Sequence, residues 1–245
     1  MRITSLSAAG VALAGIALAF TPGAAHAATG SIFVPDDFNP AYSDTRATGH
    51  YDVVGTALHV WTTPTVTPGP NTNKVAEYVD TSTPLAVVGE PTLDQTYNSG
   101  STIAPGYQLV VDFDGNGSAD GILVGEPSAP GYGNNWWLNN AAQQFVKDGA
   151  PHTGGGYGSP YHGTLDEWRA AFPGANVLAF GFSLGSGVTG DWTINAINFA
   201  GTRYTFAEHV TLTSKDQCKN GGWATSTKPV YKNQGECVSS FAKAK

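Results

Sequence analysis

The sequence is poor in charged residues, which make up only 13 % of it, and its formal net charge is −7. No basic patch is present that would neutralise the phosphates of a nucleic acid, so this composition excludes nucleic acid as a partner. The lysines do gather towards the C-terminus, at Lys215, Lys219, Lys228, Lys232, Lys243 and Lys245. We interpret that end as a solvated tail, with contact to an anionic cell wall as the alternative.

Long apolar runs are absent after the first 27 residues. Within those residues, Arg2 precedes an apolar stretch at 8–20, and Ala25-His26-Ala27 follows it. This order is typical of a secretory signal peptide, which we expect to be cleaved after Ala27. The apolar stretch is short for a membrane span, which needs about 20 residues. With no cysteine directly after it and no apolar segment near the C-terminus, we expect a secreted extracellular protein without a membrane anchor.

Cysteine is scarce as well, since the sequence contains only Cys218 and Cys237. In an exported chain two cysteines most simply form one disulfide. Closing a loop of this length would contribute about 3 kcal/mol in the chain-entropy model. The composition turns polar after residue 212, so we place a domain boundary there. We then interpret the disulfide as stabilising a tail at 213–245 that is too small to form a stable core of its own.

Helical periodicity is rare, whereas glycine (31 residues) and proline (15 residues) are abundant. Short runs of β-branched and aromatic residues alternate with turn-forming clusters, a pattern that favours an all-β, antiparallel, jelly-roll-like sandwich over 28–212. A first edge strand is expected near Phe33, Val34 and Phe38. Further strands are predicted at 51–54, 57–61, 75–79, 85–88, 109–111, 122–124, 136–138, 176–182, 192–199, 203–206 and 209–212.

One short helix is predicted at 165–172. Thr164 is placed as its N-cap, and Glu167 completes a capping box. Pro173 and Gly174 end the helix. Trp168 and Phe172 lie four residues apart, so they would present one aromatic face to the sheet.

An acidic loop between two apolar runs has the composition of a calcium site. Asp112, Asp114, Asn116, Ser118 and Asp120 occupy alternate positions, and Gly117 stands where a calcium loop turns sharply. Leu123 stands where a helix–loop–helix site would have a bidentate glutamate. The loop is therefore more similar to the strand-linking calcium loops of FG-GAP-type repeats. The alternative interpretation is an ordinary hairpin turn, since Asp, Asn and Gly favour any such turn.

A glycine-rich stretch at 132–161 concentrates aromatic residues. If 136–138 is a strand, the two tryptophans project from opposite faces of the sheet, so one enters the core and the other needs a cover or a ligand. Amphipathic rings on an open β surface would form a stacking platform for sugars, although a sandwich core also consumes aromatic residues. The candidate ligand-binding residues are Tyr132, Trp136, Trp137, Tyr157 and Tyr161.

Two weaker patterns concern catalysis. The phrase Val-Gly-Glu-Pro occurs twice, and its glutamates, Glu90 and Glu126, are the pair nominated for glycoside hydrolysis if they meet at one rim. Ser183 lies in a Gly-x-Ser-x-Gly motif. The nucleophile elbow of α/β-hydrolases requires a helix directly after this serine, and the segment that follows Ser183 is a poor helix former. With Asp191 and His209 the serine would form a triad whose spacing is too tight for that fold. The histidines show no metal-ligand spacing.

Two segments resemble secreted actinobacterial β-sandwich proteins. One is the tail, with Cys218-Lys219-Asn220-Gly221-Gly222-Trp223 followed by Asn233-Gln234-Gly235-Glu236-Cys237. The other combines residues 111–125 with residues 163–187. This resemblance implies export from a Gram-positive cell, a single disulfide, and packing of Trp223 against that disulfide. It implies no activity.

These patterns together predict a secreted, non-catalytic module that binds a polysaccharide or another cell-envelope ligand and is stabilised by calcium. The alternatives are a secreted glycosidase-like or esterase-like hydrolase and a purely structural surface protein. Burial of the aromatic residues at 132–161 would favour the structural alternative.

Overall fold

A computed structural model describes residues 28–64, 72–139, 141–156 and 158–242. The proposed signal peptide and Tyr157 lie outside the described residues. The chain forms two β-sheets packed face to face, as the sequence predicts. Strands adjacent in the chain repeatedly belong to different sheets, so the chain crosses between the two layers several times.

The first sheet, sheet A, is centred on strand β11 (Gly190–Phe199). Its strands are β1 (Ala28–Phe33), β2 (Gly49–Val54), β3 (Ala57–Thr62), β5 (Thr92–Gly100), β11 (Gly190–Phe199) and β12 (Thr202–Ala207). β11 pairs with β3, β5 and β12, while β2 extends the sheet beyond β3 and β1 extends it beyond β12. All of these pairings are antiparallel except that of β1 with β12, which is parallel.

The second sheet, sheet B, is antiparallel throughout and has the order β4-β10-β6-β7-β8-β9. Its strands are β4 (Lys74–Pro84), β6 (Gly106–Asp112), β7 (Gly121–Gly125), β8 (Trp136–Leu138), β9 (His162–Gly163) and β10 (Asn176–Gly185). β6 and β7 form the predicted hairpin around the acidic loop, with Val111 opposite Gly121.

The main core lies between the sheets and follows the two-residue period of the strands. Leu58 and Val60 of β3 face Leu109 and Val111 of β6 in one buried cluster. Val110 projects from the other side of β6 and joins a second, smaller buried cluster on the outer face of sheet B. Because both faces of β6 are covered, the strand appears in the sequence as a continuous apolar run.

The predicted helix is α2 (Leu165–Ala171), and it begins with the predicted capping box. Thr164 Oγ1 accepts a hydrogen bond from the Glu167 amide (3.3 Å), and Glu167 Oε2 accepts one from the Thr164 amide (2.8 Å). Trp168 is fully buried, and its Nε1 donates to the Trp136 carbonyl oxygen at 3.0 Å. This bond fixes the helix on β8.

The C-terminal segment has a small core of its own. Cys218 and Cys237 form the expected disulfide, with their Cα atoms 5.8 Å apart. The two half-cystines are buried with Leu212 and Tyr231, and Trp223 packs against this cluster. The tail is therefore held together by the disulfide, by these apolar contacts and by local hydrogen bonds such as that from the Lys232 amide to Glu236 Oε2 at 2.7 Å.

Several elements differ from the sequence prediction. Residues 85–88 were expected to form a strand, but Leu85–Val87 is a 3-10 helix. The strand expected at 209–212 was also wrong, since this segment bonds to Thr227 and Leu212 enters the tail core. Strand β5 and two short helices, α1 (Gln144–Gly149) and α3 (Gln234–Ala242), were not predicted.

Candidate functional site

The acidic loop brings three of its five predicted ligands together. Carboxylate oxygens of Asp112, Asp114 and Asp120 lie within 4.8 Å of one another. Asp112 and Asp120 are buried, whereas Asp114 is exposed. Asn116 adjoins this group, since its Nδ2 donates to Asp114 Oδ2 at 3.0 Å, and its Oδ1 accepts the Ser118 amide at 2.8 Å.

Backbone amides hold the loop in a curled conformation around Asp112. Its Oδ1 accepts the Gly115 amide at 2.8 Å, and its Oδ2 accepts the Gly117 amide at 2.8 Å. Gly115 and Gly117 have φ angles of +77° and +87°, the left-handed conformation that glycine adopts without strain. Asp120 Oδ2 accepts the Phe113 amide at 2.7 Å.

The acidic loop carries a cluster of negative charge. Among the described residues, no lysine, arginine or histidine forms an ion pair with Asp112, Asp114 or Asp120. Clustered carboxylates on a curled backbone are the oxygen donors that calcium prefers. The three carboxylates therefore fit a calcium ion.

A cleft of about 280 Å³ opens where β5 of sheet A approaches β7 and β8 of sheet B. Both Val-Gly-Glu-Pro phrases reach it, the first through Glu90 and Pro91 and the second through Gly125 and Pro127. The remaining lining residues are Thr92, Leu93, Gln95, Pro105, Tyr107, Gly133, Asn134, Asn135 and Trp136. The cleft therefore combines apolar rings with amide side chains.

Trp136 forms part of the inner wall of the cleft. It is only 5 % exposed, and its ring packs edge-on against Tyr107 with the centroids 5.7 Å apart. Gly125 lies directly opposite it, and a Cβ atom there would stand 2.9 Å from the indole. This close approach accounts for a glycine in an otherwise apolar strand.

The other predicted aromatic residues are dispersed. Trp137 projects from the opposite face of the sheet to Trp136 and is half-buried. Gly156 lies close against it, since a Cβ atom at Gly156 would collide with the Cβ of Trp137. Tyr161 is half-buried against the main core, and Tyr132 is half-buried outside the cleft lining. Only Trp136 of the described candidates lines the cleft, so these residues do not form one open platform.

The two nominated glutamates have different surroundings. Glu90 has a largely exposed side chain, and its Oε1 lies 3.1 Å from Nη1 of Arg169. Glu126 Oε2 accepts a hydrogen bond from Nε1 of Trp137 at 3.0 Å, on the outer face of sheet B. Burial raises the pKa of Glu126 above its ordinary value, although the bond from Trp137 acts in the opposite direction. Glu126 itself does not line the cleft.

The residues of the serine-based alternative also lie apart. Ser183 is buried within β10, and among the described residues its hydroxyl has one hydrogen-bond partner, the Gly185 carbonyl oxygen at 3.5 Å. Asp191 is bonded to His59, whereas His209 stacks on Phe33 and bonds to Thr227. The motif is therefore part of an uninterrupted strand and does not turn into a helix.

Sequence analysis did not identify the polar residues of the cleft. Gln95 lies on β5, a strand whose exposed half is polar, while Asn134 and Asn135 lie in a turn-rich segment. Gln95 Nε2 donates to the Pro105 carbonyl oxygen at 3.3 Å, and its buried Oε1 accepts no hydrogen bond from the described residues. The sequence signals for the cleft were the repeated Val-Gly-Glu-Pro phrase and the glycine- and aromatic-rich stretch that contains Trp136.

Comparisons of the chain with models of protein families, with curated proteins and with solved structures give no match in any of the three. Within the described residues, no helix has both the length and the apolar character needed to cross a membrane.

Proposed function

We propose that this protein is an exported, non-catalytic module that binds polysaccharide of the cell envelope or the surroundings of the cell. The observation that carries the proposal is the cleft between the sheets, where an indole ring and amide side chains meet. The calcium loop serves stability in this proposal, since it belongs to the hairpin that leads into the cleft.

The lining of the cleft matches the chemistry of a sugar. A pyranose ring has apolar C–H faces and hydroxyl groups at its edge, so it needs an apolar wall with hydrogen-bonding groups beside it. Tyr107, Trp136 and Leu93 supply the wall, and Asn134 and Asn135 supply amides. A volume of about 280 Å³ is at the lower end of ligand sites, which suits a short saccharide.

Gln95 lines the cleft, and its enclosed Oε1 accepts no hydrogen bond from the described residues. A buried acceptor without a donor costs free energy, and a ligand hydroxyl would recover that cost once the Gln95 side chain turns towards it. A hydroxyl-rich ligand is thereby favoured over an apolar one of the same size.

The arrangement of the acids favours binding over hydrolysis. A glycosidase needs both carboxylates beside the same bond, about 5 to 10 Å apart. Glu90 is at the cleft and is neutralised by Arg169, whereas Glu126 is engaged by Trp137 on the outer face. Burial of Trp136 favours the structural alternative, so the experiment below includes it as an outcome.

Two features support export and calcium as parts of this proposal. The disulfide is compatible with an oxidising extracellular compartment, and the N-terminal residues have the pattern of a signal peptide. The three convergent carboxylates support the calcium ion.

The first experiment measures retention of the mature protein, residues 28–245, on cellulose, chitin, insoluble xylan and a Gram-positive cell-wall preparation, with calcium and with EDTA. Oligosaccharides of any retaining polymer are then titrated calorimetrically against wild type, Asn134→Ala and Gln144→Ala. Both residues are exposed and carry an amide, but only Asn134 lines the cleft.

We expect Asn134→Ala to weaken oligosaccharide binding and Gln144→Ala to leave it unchanged. Equal binding by all three proteins would place the saccharide outside the cleft. No retention and no binding would favour the structural alternative, and release of reducing sugar would favour the hydrolase.

A further inference from the structure

The outer face of sheet A carries ordered rows of polar and aromatic side chains. On antiparallel strands, residues directly opposite each other project from the same face. The register of β2, β3 and β11 gives two rows, His50–Trp61–Asp191 and Asp52–His59–Thr193. The main core takes the alternate residues of the same strands, such as Leu58 and Val60, so these rows face away from it.

Hydrogen bonds across the strands fix the side chains at the centre of these rows. His59 Nε2 lies 2.7 Å from Asp191 Oδ1, and Asn98 Nδ2 donates to the same oxygen at 2.9 Å. Asn98 Nδ2 also donates to Thr193 Oγ1 at 2.9 Å. Burial tends to raise the pKa of Asp191, but the bonds from Asn98 and His59 outweigh it and hold that pKa below its usual value.

A β-bulge places Asn98 in this network. Asp191 pairs with Ser99, and the next residue, Trp192, pairs with Tyr97, so Asn98 is the extra residue of β5. Bulges redirect side chains, and they are frequent beside functional sites. The bulge turns the Asn98 amide towards Asp191 and Thr193.

A second polar cluster lies further along β11. Asn195 Nδ2 donates to Thr96 Oγ1 at 3.0 Å and to Asp94 Oδ1 at 3.3 Å. Arg203 Nη2 bonds to Asp94 Oδ2 at 2.6 Å. At roughly 3.4 Å per residue, Asp191 and Asn195 are about 14 Å apart along the strand. The two clusters together are long enough for an extended chain.

The charges and bonding groups of this face select a neutral polyhydroxyl ligand. Asp191 lies against His59, and Asp94 pairs with Arg203, so the described residues of this face offer no uncompensated cation that would attract a polyanion. The exposed carboxylate of Asp52 would also repel a polyanion. The N–H groups of Asn98 and Asn195 are engaged within the face, so the amide oxygens and the carboxylates present acceptors to the hydroxyl groups of a sugar.

The aromatic residues add apolar contact at one end of the face. The Trp61 ring is nearly parallel to those of His50 and His59, with centroids 5.2 Å and 4.4 Å away. These contacts limit the rotamers of Trp61, which is half-buried. Side chains held in place before binding lose little entropy when a ligand arrives.

We propose that this outer face is a second saccharide-binding surface, which holds an extended stretch of neutral polysaccharide across Asn98, Asp191, Thr193 and Asn195. The inference rests on the proposed function and adds a site for the polymer to the cleft that takes a short saccharide.

The test compares the retention of mature wild type, Asn98→Ala, Thr193→Val and Asn195→Ala on the retaining neutral polymer, by depletion isotherms and by electrophoresis in gels that contain the soluble polymer. Thr193→Val keeps the β-branched shape and removes only the hydroxyl. Gln144→Ala, which is exposed and lies outside both the cleft and this face, is the control. Asn134→Ala distinguishes the cleft from this face, and thermal unfolding verifies that each variant folds.

We expect the three outer-face variants to weaken polymer binding by about tenfold each while binding short oligosaccharides as wild type does. Polymer binding equal to that of wild type in all three variants would overturn the inference. If wild type binds oligosaccharides but no neutral polymer, the inference is overturned and the proposed function stands. If Asn134→Ala binds short saccharides normally but the outer-face variants lose the polymer, the cleft is rejected and the outer face is retained.

Discussion

Trp137 donates a hydrogen bond from Nε1 to Oε2 of Glu126, 3.0 Å away, on the outer face of sheet B. Glu126 also leans over Gly106, where a Cβ atom would stand 2.7 Å from its Cγ. Glu126 is thus held against the sheet by its hydrogen bond to Trp137, and the missing side chain of Gly106 leaves room for it. This explains why its pKa is raised by burial despite the bond from Trp137.

The raised pKa of Glu126 predicts a pH-dependent loss of stability. Between its ordinary value of 4.5 and the higher value in the folded state, the folded protein binds more protons than the unfolded chain, so stability falls as the pH rises through that window. Glu126→Gln retains an acceptor for Trp137 and removes the ionisation.

We expect Glu126→Gln to be at least as stable as wild type at pH 7, and the advantage to disappear at about pH 4. Thermal unfolding of both proteins from pH 4 to 8 measures this. Burial also raises the pKa of Glu77, so only the difference between the two curves reports on Glu126. A constant difference across the range would contradict the assignment.

The N-cap of α2 gives a second prediction. Thr164→Ala removes the side-chain half of the capping box and should destabilise the protein by about 1 kcal/mol. For a chain of this size the melting temperature should fall by about 2 to 4 °C. Thr164→Ser, which keeps the hydroxyl, is the matched control. Equal losses in the two variants would show that the threonine methyl group, and not the cap, matters.

The features predicted from sequence depend on residues close together in the chain. The capping box of α2 spans Thr164 to Glu167, and the β6–β7 hairpin joins two apolar runs across one glycine-rich loop. Each gives its own local signal. The disulfide could be predicted without structural information, because the chain has only two cysteines.

The features that were missed depend on distant partners. β5 is a strand because it pairs with β11, about a hundred residues away, and its sequence Thr-Leu-Asp-Gln-Thr-Tyr-Asn-Ser-Gly has little apolar character. Residues 209–212 have the alternation of a strand, but Leu212 is buried in the tail core with Tyr231. Tertiary context decided both segments.

The candidate sites divide in the same way. The spacing of Asp112, Asp114 and Asp120 is visible in one loop, so their convergence could be predicted. The cleft joins residues 90–95, 105–107 and 125–136, and the outer face joins His59 to Asp191. No local pattern reports pairings over such separations, and the histidine spacing therefore gave no signal.

Calcium binding by the acidic loop predicts a rise in thermal stability. At a calcium concentration about 100 times the Kd, binding would add about 2.7 kcal/mol. This corresponds to about 5 to 10 °C in melting temperature for a chain of this size. Asp114→Asn is the sharpest variant, because Asp114 is exposed and, among the described residues, bonds only to Asn116. It preserves the shape of the loop and removes one ligand charge.

We expect calcium to raise the melting temperature of wild type, and EDTA to reverse the rise, while Asp114→Asn responds weakly. Asp112→Asn is less informative, since Asp112 also accepts the amides that curl the loop. Equal melting temperatures of wild type in calcium and EDTA would leave the loop as an ordinary turn.

The separate core of the tail predicts that the disulfide stabilises the tail and not the sandwich. Cys218 and Cys237 are 19 residues apart, and their bond should contribute about 3 kcal/mol to the tail. The tail core shares no buried residue with the main core. Replacing both cysteines with serine should therefore expose residues 213–242 to protease while the main unfolding transition stays within a few degrees of wild type.

Limited proteolysis with mass spectrometry, together with calorimetry of the same samples, measures both effects. A large drop of the main transition would mean that the tail is an integral part of the sandwich, held to it through contacts such as that of Lys228 with Asp36.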